Sequence, residues 1–390
     1  MSTPLQQLRV VELARVLAGP WIGQILADLG ADVVKVEAPG GDDTRQWGPP
    51  FVAGRDGEHL GAAYFHACNR GKRSVIADLH MAQGRELVRR LASSADVLIE
   101  NFKVGALARY GLDYATLKDL NPRLIYCSVT GFGQTGPYAH KPGYDLIIQG
   151  MSGIMDLTGE ADGPPQRTGV AFADIFTGTY GAIAVLAALA QRERTGVGQQ
   201  IDMALLDSMI GVLANQAMSY LVSGRTPHRM GNAHPSIVPY QVFAVSDGAV
   251  VIAVGNDAQF ARLCGYLGQP ALADDPRFAT NAARVRNRAP LLERLAALLA
   301  PLTRAALLAG METCGIPAGP IHTVAEAFAD PQVVQRRMQL QLETAAAPDG
   351  HLPGVRTPIQ FSGAELALTR PPPRLGEHTE EVMAELGLSG

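Results

Sequence analysis

One carboxylate is placed where it could do covalent chemistry. Asp174 lies in the stretch Gly169-Val-Ala-Phe-Ala-Asp-Ile-Phe-Thr-Gly178, which opens a run of small residues reaching Ala190. Alanine and glycine at this density let neighbouring backbone approach closely, so the run is expected to be a helix buried on most sides. A carboxylate at the edge of such a helix is pulled two ways. Desolvation raises its pKa, while the free N–H groups of the helix N-terminus favour the anion. An anion kept in a dry place is what a carboxylate nucleophile needs. A cap on a buried helix uses the same residue type at the same position, and the local sequence leaves both roles open.

The elements that must hold Asp174 follow from periodicity. Residues 8–13 read as a strand, 19–29 as a helix and 32–37 as a second strand, a βαβ opening. The pattern continues with a strand over 74–79, a helix over 83–93, a strand over 96–100, a helix over 113–120 and a strand over 123–129. Strands alternating with helices indicate an α/β fold with a doubly wound, Rossmann-like parallel sheet, whose ligand crevice lies beyond the carboxyl ends of the strands. Residues 201–222 read as one long apolar helix, and the turn-rich segment 224–235 marks a boundary. Beyond it, strands over 239–245 and 249–254 joined at Asp247-Gly248 form a hairpin, followed by helices over 258–267 and 291–311. A strand over 353–361 and a short helix over 379–386 close the chain. The expected organisation is a large domain over 1–200 completed by 331–390, a linker helix over 201–225, and a smaller α+β domain over 226–325.

Composition excludes several classes. A chain of 390 residues, 47% hydrophobic and 18% charged, can bury a sizeable core and suggests about two domains. The net charge of −4 argues against a nucleic-acid or membrane-surface partner, which calls for clustered excess Lys and Arg. Four cysteines, Cys68, Cys127, Cys264 and Cys314, show neither CxxC nor ligand-like spacing, so no metal site or disulfide framework is expected. The N-terminal residues lack the charged start and apolar run of a signal peptide, and the Ala-rich stretch near 180–190 reads as short of a membrane span; a cytoplasmic protein is the expectation. The first turn, Ala14 to Gly23, has Pro20 and no GxGxxG, which argues against a dinucleotide dehydrogenase with Glu37 on the ribose. GxxxxGK[ST], HExxH and GxSxG are also missing, and with them the minimum parts of phosphate-loop, zinc-peptidase and serine-hydrolase sites.

Several loops remain as ligand candidates. Asn69 to Ser74 and Asn101 to Arg109 are rich in basic and small residues suited to the phosphates of a large nucleotide-like ligand, or simply to solvent. Gly131 to Tyr138 is glycine-dense. In the second domain, Gly255, Asn256 and Asp257 either present N–H groups to an anion or form a capped entry to a helix.

Taken in order, these motifs resemble the class III CoA transferases, a family that includes formyl-CoA and carnitine CoA-transferases and the α-methylacyl-CoA racemases. The resemblance rests on Ala18-Gly-Pro, residues 30–37, Asn69 with Lys72-Arg73-Ser74, Glu100-Asn-Phe, residues 131–136, Ala173-Asp174 and residues 375–379. It implies that Asp174 is the nucleophile, that acyl-CoA and a carboxylic acid are the substrates with no other cofactor, and that the protein is an interlocked homodimer. By family position CoA contacts are implied for Val16, Leu17, Ala18, Ala77, Asp78, His80, Asn101, Phe102, Lys103, Arg109, Gly143, Tyr144 and Asp145. Leu17 and Ala38 depart from the formyl-CoA branch, which has Gln and a basic residue there, and His80 stands where Lys is common. The segments 231–243 and 253–260 look more like the succinyl-CoA:dicarboxylate branch, with Gly255, Asn256 and Asp257 near the acceptor. A racemase on the same fold would need a His-Asp pair where this chain has Tyr144-Asp145, and tyrosine is a poor base at neutral pH. A non-catalytic CoA-binding protein is the third reading, and it leaves Asp174 without a task.

Overall fold

The structure is a computed structural model describing residues 2–388. Met1, Ser389 and Gly390, which fall within the expected large-domain ranges, lie outside the described residues. The chain forms two compact units. The first comprises Met1–Ile154, Arg167–Arg225 and Pro331–Gly390; the second comprises Met155–Gln166 and Thr226–Asp330.

The first unit is built on a six-stranded sheet: β1 (Arg9–Glu12), β2 (Asp32–Glu37), β3 (Arg73–Ile76), β4 (Val97–Glu100), β5 (Ile125–Thr130) and β6 (Gln200–Ala204). All neighbours pair in parallel, in the order β3-β2-β1-β4-β5-β6. The strand order reverses between β1 and β4, so the crevice of an open parallel sheet falls on the turn after β1 and the loop after β4. Side chains alternate between the two faces. Val10 and Ile99 pack with Ile22, Leu26 and Val185 on one side, while Val11 and Leu98 pack with Leu87, Tyr126 and Val382 on the other. Val382 comes from the closing helix Thr379–Glu385, so the end of the chain completes the large unit.

Three helices of this unit position the site: α1 (Ala18–Asp28), α2 (Asp145–Ser152) and α3 (Phe172–Thr195). The last has 24 residues and is, by length and composition alone, the one helix among the described residues able to cross a membrane; the shorter apolar stretch read from sequence underestimates it. Here its glycines lie against α1. A Cβ on Gly178 would sit 2.7 Å from the Ala18 carbonyl oxygen, and one on Gly181 would sit 2.5 Å from Ile22.

The second unit has the three-stranded antiparallel sheet β7 (Tyr240–Val245), β8 (Gly248–Ala253) and β9 (Ala318–Pro320). Val245 pairs with Gly248, so the expected hairpin is present but its two-residue turn is Ser246-Asp247, one residue before the expected Asp247-Gly248, and Gly248 opens the second strand. Phe243, Val250 and Ile252 of the sheet bury against Phe260, Leu291, Leu295 and Leu307 of its helices.

Three sequence readings are corrected, the first being the strand over 353–361, which is His351–Val355 paired antiparallel with Gln339–Glu343. The single helix over 201–222 is instead strand β6, then helices Leu205–Gly211 and Ala214–Ser223. Gln200-Ile-Asp-Met-Ala has an alternation fit for an edge strand, and the apolar residues that follow masked it. The helix over 291–311 is broken into Arg288–Leu299 and Arg304–Thr313, because Pro301 cannot continue the first and Thr303 caps the second. The hairpin Phe51–Ala53/His59–Ala62 and the helix Ala63–Cys68 carry no strong periodicity and are seen only in the structure.

Candidate active site

Asp174 sits in the first turn of α3 and is buried. It is not the cap. The N-cap position is Ala171, and the capping oxygen comes from α2, where Asp145 Oδ1 accepts the Ala173 N–H at 2.9 Å. Gln149 Nε2 donates to the other Asp145 oxygen at 2.7 Å and is itself held through its amide oxygen by the Thr168 N–H and hydroxyl. Asp145 therefore has fixed partners within the chain in addition to its place among the implied CoA contacts.

Burial pushes the Asp174 carboxyl up to about 7, with the Asp145 charge adding to the rise and the Ala18 N–H, donating to it, opposing. Tyr64 feels the charge of the same carboxylate. Burial first, and then the charge of Asp174, raise its hydroxyl well above the ordinary range, so it stays a proton donor at neutral pH. Its ring lies edge-on to Trp47 at 5.3 Å. The result is one ionisable carboxylate in a dry recess at the N-terminal ends of α1 and α3. The Ala18 N–H at the start of α1 is what opposes the rise in its pKa and favours the anion.

The implied CoA contacts divide into groups. Val16, Leu17 and Ala18 form the turn from β1 into α1. Asn101 is tied to that turn: its side chain accepts the Arg15 N–H at 3.0 Å and donates to the Arg15 carbonyl at 2.7 Å. Phe102 follows with its N–H on Glu100, a carboxyl that burial pushes up to about 7. His80 and Arg109, far apart in sequence, both meet Tyr110, His80 edge-on with ring centres 5.9 Å apart and the Arg109 guanidinium 4.6 Å from the ring centre. Lys103 and Arg109 are exposed. Ala77 is buried and donates to the Glu37 carbonyl, while Asp78 turns back to accept the His80 N–H. Gly143 packs on Gly131, where an added Cβ would lie 2.7 Å from the facing Cα, and Tyr144 beside it is largely exposed. Glu37 is taken up by Arg45, Ser74 and the Asp42 N–H, so it has no capacity left for a ribose.

In the second unit the polar groups of 255–257 are committed locally. The Gly255 N–H donates to Gln259, Asn256 caps the helix Asp257–Tyr266, and Asp257 pairs with the buried Arg284 at 2.7 Å. The N–H of Gly255, expected as an anion donor, is thus spent on Gln259. Sequence reasoning missed Tyr64 and the supporting carboxylate role of Asp145; the spacing of Asp145 and Gln149 on one helical face was the available signal for the latter.

Gly178→Ala tests the close approach of α1 and α3. The new methyl would meet the Ala18 carbonyl at 2.7 Å and the Trp21 Cβ at 2.8 Å, one of them backbone that cannot swing away. We expect a stability loss of about 1–3 kcal/mol by chemical denaturation. A fall in kcat should accompany it, because Ala18 is pushed from Asp174.

The chain matches the model of CoA-transferase family III over residues 5–379. It is 59% identical over 385 residues to the succinate–glutarate CoA-transferase of Agrobacterium fabrum, covering 98% of this chain and 96% of that protein. It is 42% identical to the mouse succinyl-CoA:glutarate CoA-transferase, covering 98% and 86%. Among solved structures, a CaiB/BaiF family protein from Brucella suis superposes with a TM-score of 0.88 at 61% identity, over 99% of this chain and all of that one.

Proposed function

The chain belongs to CoA-transferase family III and is a CoA-transferase, and from that premise we propose that Asp174 is its nucleophile and that it moves CoA from succinyl-CoA to a short dicarboxylate such as glutarate. The observation that carries the reading is Asp174 itself: buried, with no capping task, and poised to ionise near pH 7 where the α1 N-terminus meets it. A carboxylate oxygen of Asp174 attacks the donor thioester carbonyl, and CoA leaves as the thiolate, giving a mixed anhydride. The thiolate then attacks the aspartyl carbonyl and expels the donor acid as its carboxylate. The acceptor carboxylate attacks the aspartyl-CoA thioester, releases the thiolate again, and the thiolate takes the new acyl group, returning Asp174 as a carboxylate. Each step exchanges acyl groups of similar activation, so the sequence balances without ATP, provided water is kept from the anhydride. The Ala18 N–H is a donor in reach of charge developing at Asp174.

The dicarboxylate preference rests on the names of the two relatives above and on the departures from the formyl-CoA branch at Leu17 and Ala38. A second copy of the chain is part of the same reading. The helix Ala214–Ser223 leaves Leu221 70% and Val222 80% exposed, an apolar face fit to be covered.

A mass-spectrometric screen of mono- and dicarboxylates against succinyl-, acetyl- and formyl-CoA tests the substrate assignment. Fastest transfer from succinyl-CoA to glutarate supports it. A preferred monocarboxylate pair, or α-proton exchange without transfer, overturns it. The pH dependence is a separate check. Because Asp174 attacks as the anion and its carboxyl is raised to about 7, kcat/KM should climb with pH through that value and level off above it. A profile already flat from pH 5 would contradict the raised carboxyl.

A further inference from the structure

Beneath the turn that delivers Ala18 to Asp174 lies a quartet of buried charges that the transfer chemistry does not use. Glu12, Lys35 and Lys72 have no exposed side-chain surface, and Asp42 is 1% exposed. Lys35 Nζ lies 3.1 Å from Glu12 and 2.9 Å from Asp42, and Lys72 Nζ lies 2.8 and 2.9 Å from the two oxygens of Glu12. Two positive and two negative charges balance.

The backbone contacts of these side chains converge on the turn. Lys35 donates to the Ala14 carbonyl at 2.9 Å, and Lys72 donates to the Pro20 carbonyl at 2.8 Å. Asp42 accepts the Val16 N–H at 3.3 Å while its own position is fixed by the Thr44 N–H and hydroxyl. Between these grips Val16 adopts φ of +72°, a left-handed conformation that a β-branched residue avoids. Such strain persists only where the surroundings over-determine it. Two residues further on, Ala18 begins α1 and turns its N–H to Asp174.

A buried ion network is a poor source of stability, because desolvation of the charges consumes most of their attraction. Apolar side chains would fill this space as well, but they could not grip carbonyls and an N–H of an irregular turn. We propose that Lys35, Asp42, Lys72 and Glu12 are positioning residues for the nucleophile: they lock the 14–20 turn in its strained form so that the Ala18 N–H is presented to Asp174. The inference rests on Asp174 being the nucleophile.

Charge-balanced double variants test it without leaving an unpaired buried charge. Glu12→Gln/Lys72→Met removes the grip on Pro20 and keeps the Lys35–Asp42 pair; Lys35→Met/Asp42→Ala removes the grips on Ala14 and Val16 and keeps the Glu12–Lys72 pair. The readout is the acid limb of kcat/KM, which reports the carboxyl of Asp174 among Asp145, Tyr64 and the Ala18 N–H. With that N–H displaced, the limb should move up by roughly one pH unit. At the optimum kcat should fall about a hundredfold to a thousandfold, as for a lost transition-state hydrogen bond. A role in stability alone would lower the melting temperature and leave the limb in place. Folded doubles with an unmoved limb overturn the proposal, and so does failure of both doubles to fold, which would assign the quartet to stability. Asp174→Ala is measured alongside. If it retains transfer, the nucleophile assignment fails; if it is inactive while the doubles titrate like wild type, only the positioning inference fails.

Discussion

Asp174→Ala is expected to lose transfer by at least about ten-thousandfold in kcat, the scale on which removal of a covalent nucleophile is felt. Asp174→Asn should be equally inactive, since the amide cannot form the anhydride. The loss must come from chemistry and not from unfolding, and stability gives an independent reading. The Asp174 carboxyl is raised from the ordinary 3.8 to about 7 in the folded state, burial being the main cause. The folded protein therefore holds a proton that the unfolded chain has released. The associated stability is fully present below pH about 4 and is lost as pH rises through about 7. Asp174→Asn lacks this loss, so at pH 8 it should be more stable than wild type by up to a few kcal/mol, with the gap closing towards pH 4. Denaturation midpoints at pH 5 and pH 8, beside transfer rates, check both halves. An Asn variant that is inactive and also less stable at pH 8 would speak for a structural carboxylate.

Glu12→Ala should be the most destabilising single change in the sheet unit. Glu12 is the shared partner of Lys35 and Lys72, and all three are fully buried. Without it Lys35 still has Asp42, but Lys72 keeps only the Pro20 carbonyl and the Asn69 amide oxygen. An uncompensated charge of this kind costs about 3–5 kcal/mol. Lys72 already titrates below its ordinary range, burial outweighing the help of Glu12. In the variant the ammonium is held only at a cost, so the deficit should shrink as pH is raised towards 10 and the proton is shed. Urea denaturation at pH 7 and pH 9.5 measures this. A loss of under about 1 kcal/mol at pH 7 would mean that the pocket admits water or relaxes around Lys72.

How much of this was legible in the sequence differs by element. Strand β2 is read with its observed bounds, because Asp32-Val-Val-Lys-Val-Glu37 is flanked by a Gly-Ala entry and a Pro-Gly exit. Asp174 is legible from the small residues around it, whose purpose is the contact of Gly178 and Gly181 with α1. Lys35 is not. A lysine in an otherwise apolar strand ordinarily reaches out to solvent, and only the three-dimensional meeting of residues 12, 35, 42 and 72 turns it inward. Tyr64 is hidden for a related reason: the six-residue helix that bears it follows strands only three and four residues long, too short to show a period. Strand β6 was lost to the helix that follows, since a five-residue edge strand beside a longer apolar run has no contrast of its own.

The most direct measurement is covalent trapping. Wild-type protein incubated with succinyl-CoA and hydroxylamine, then digested with trypsin, should carry a hydroxamate on the peptide from Thr168 to Arg192, at Asp174, and lose activity in step with that modification. Turnover with no carboxylate of the protein converted, or a hydroxamate formed on another aspartate or glutamate, would contradict Asp174 as the residue that takes the acyl group and then CoA.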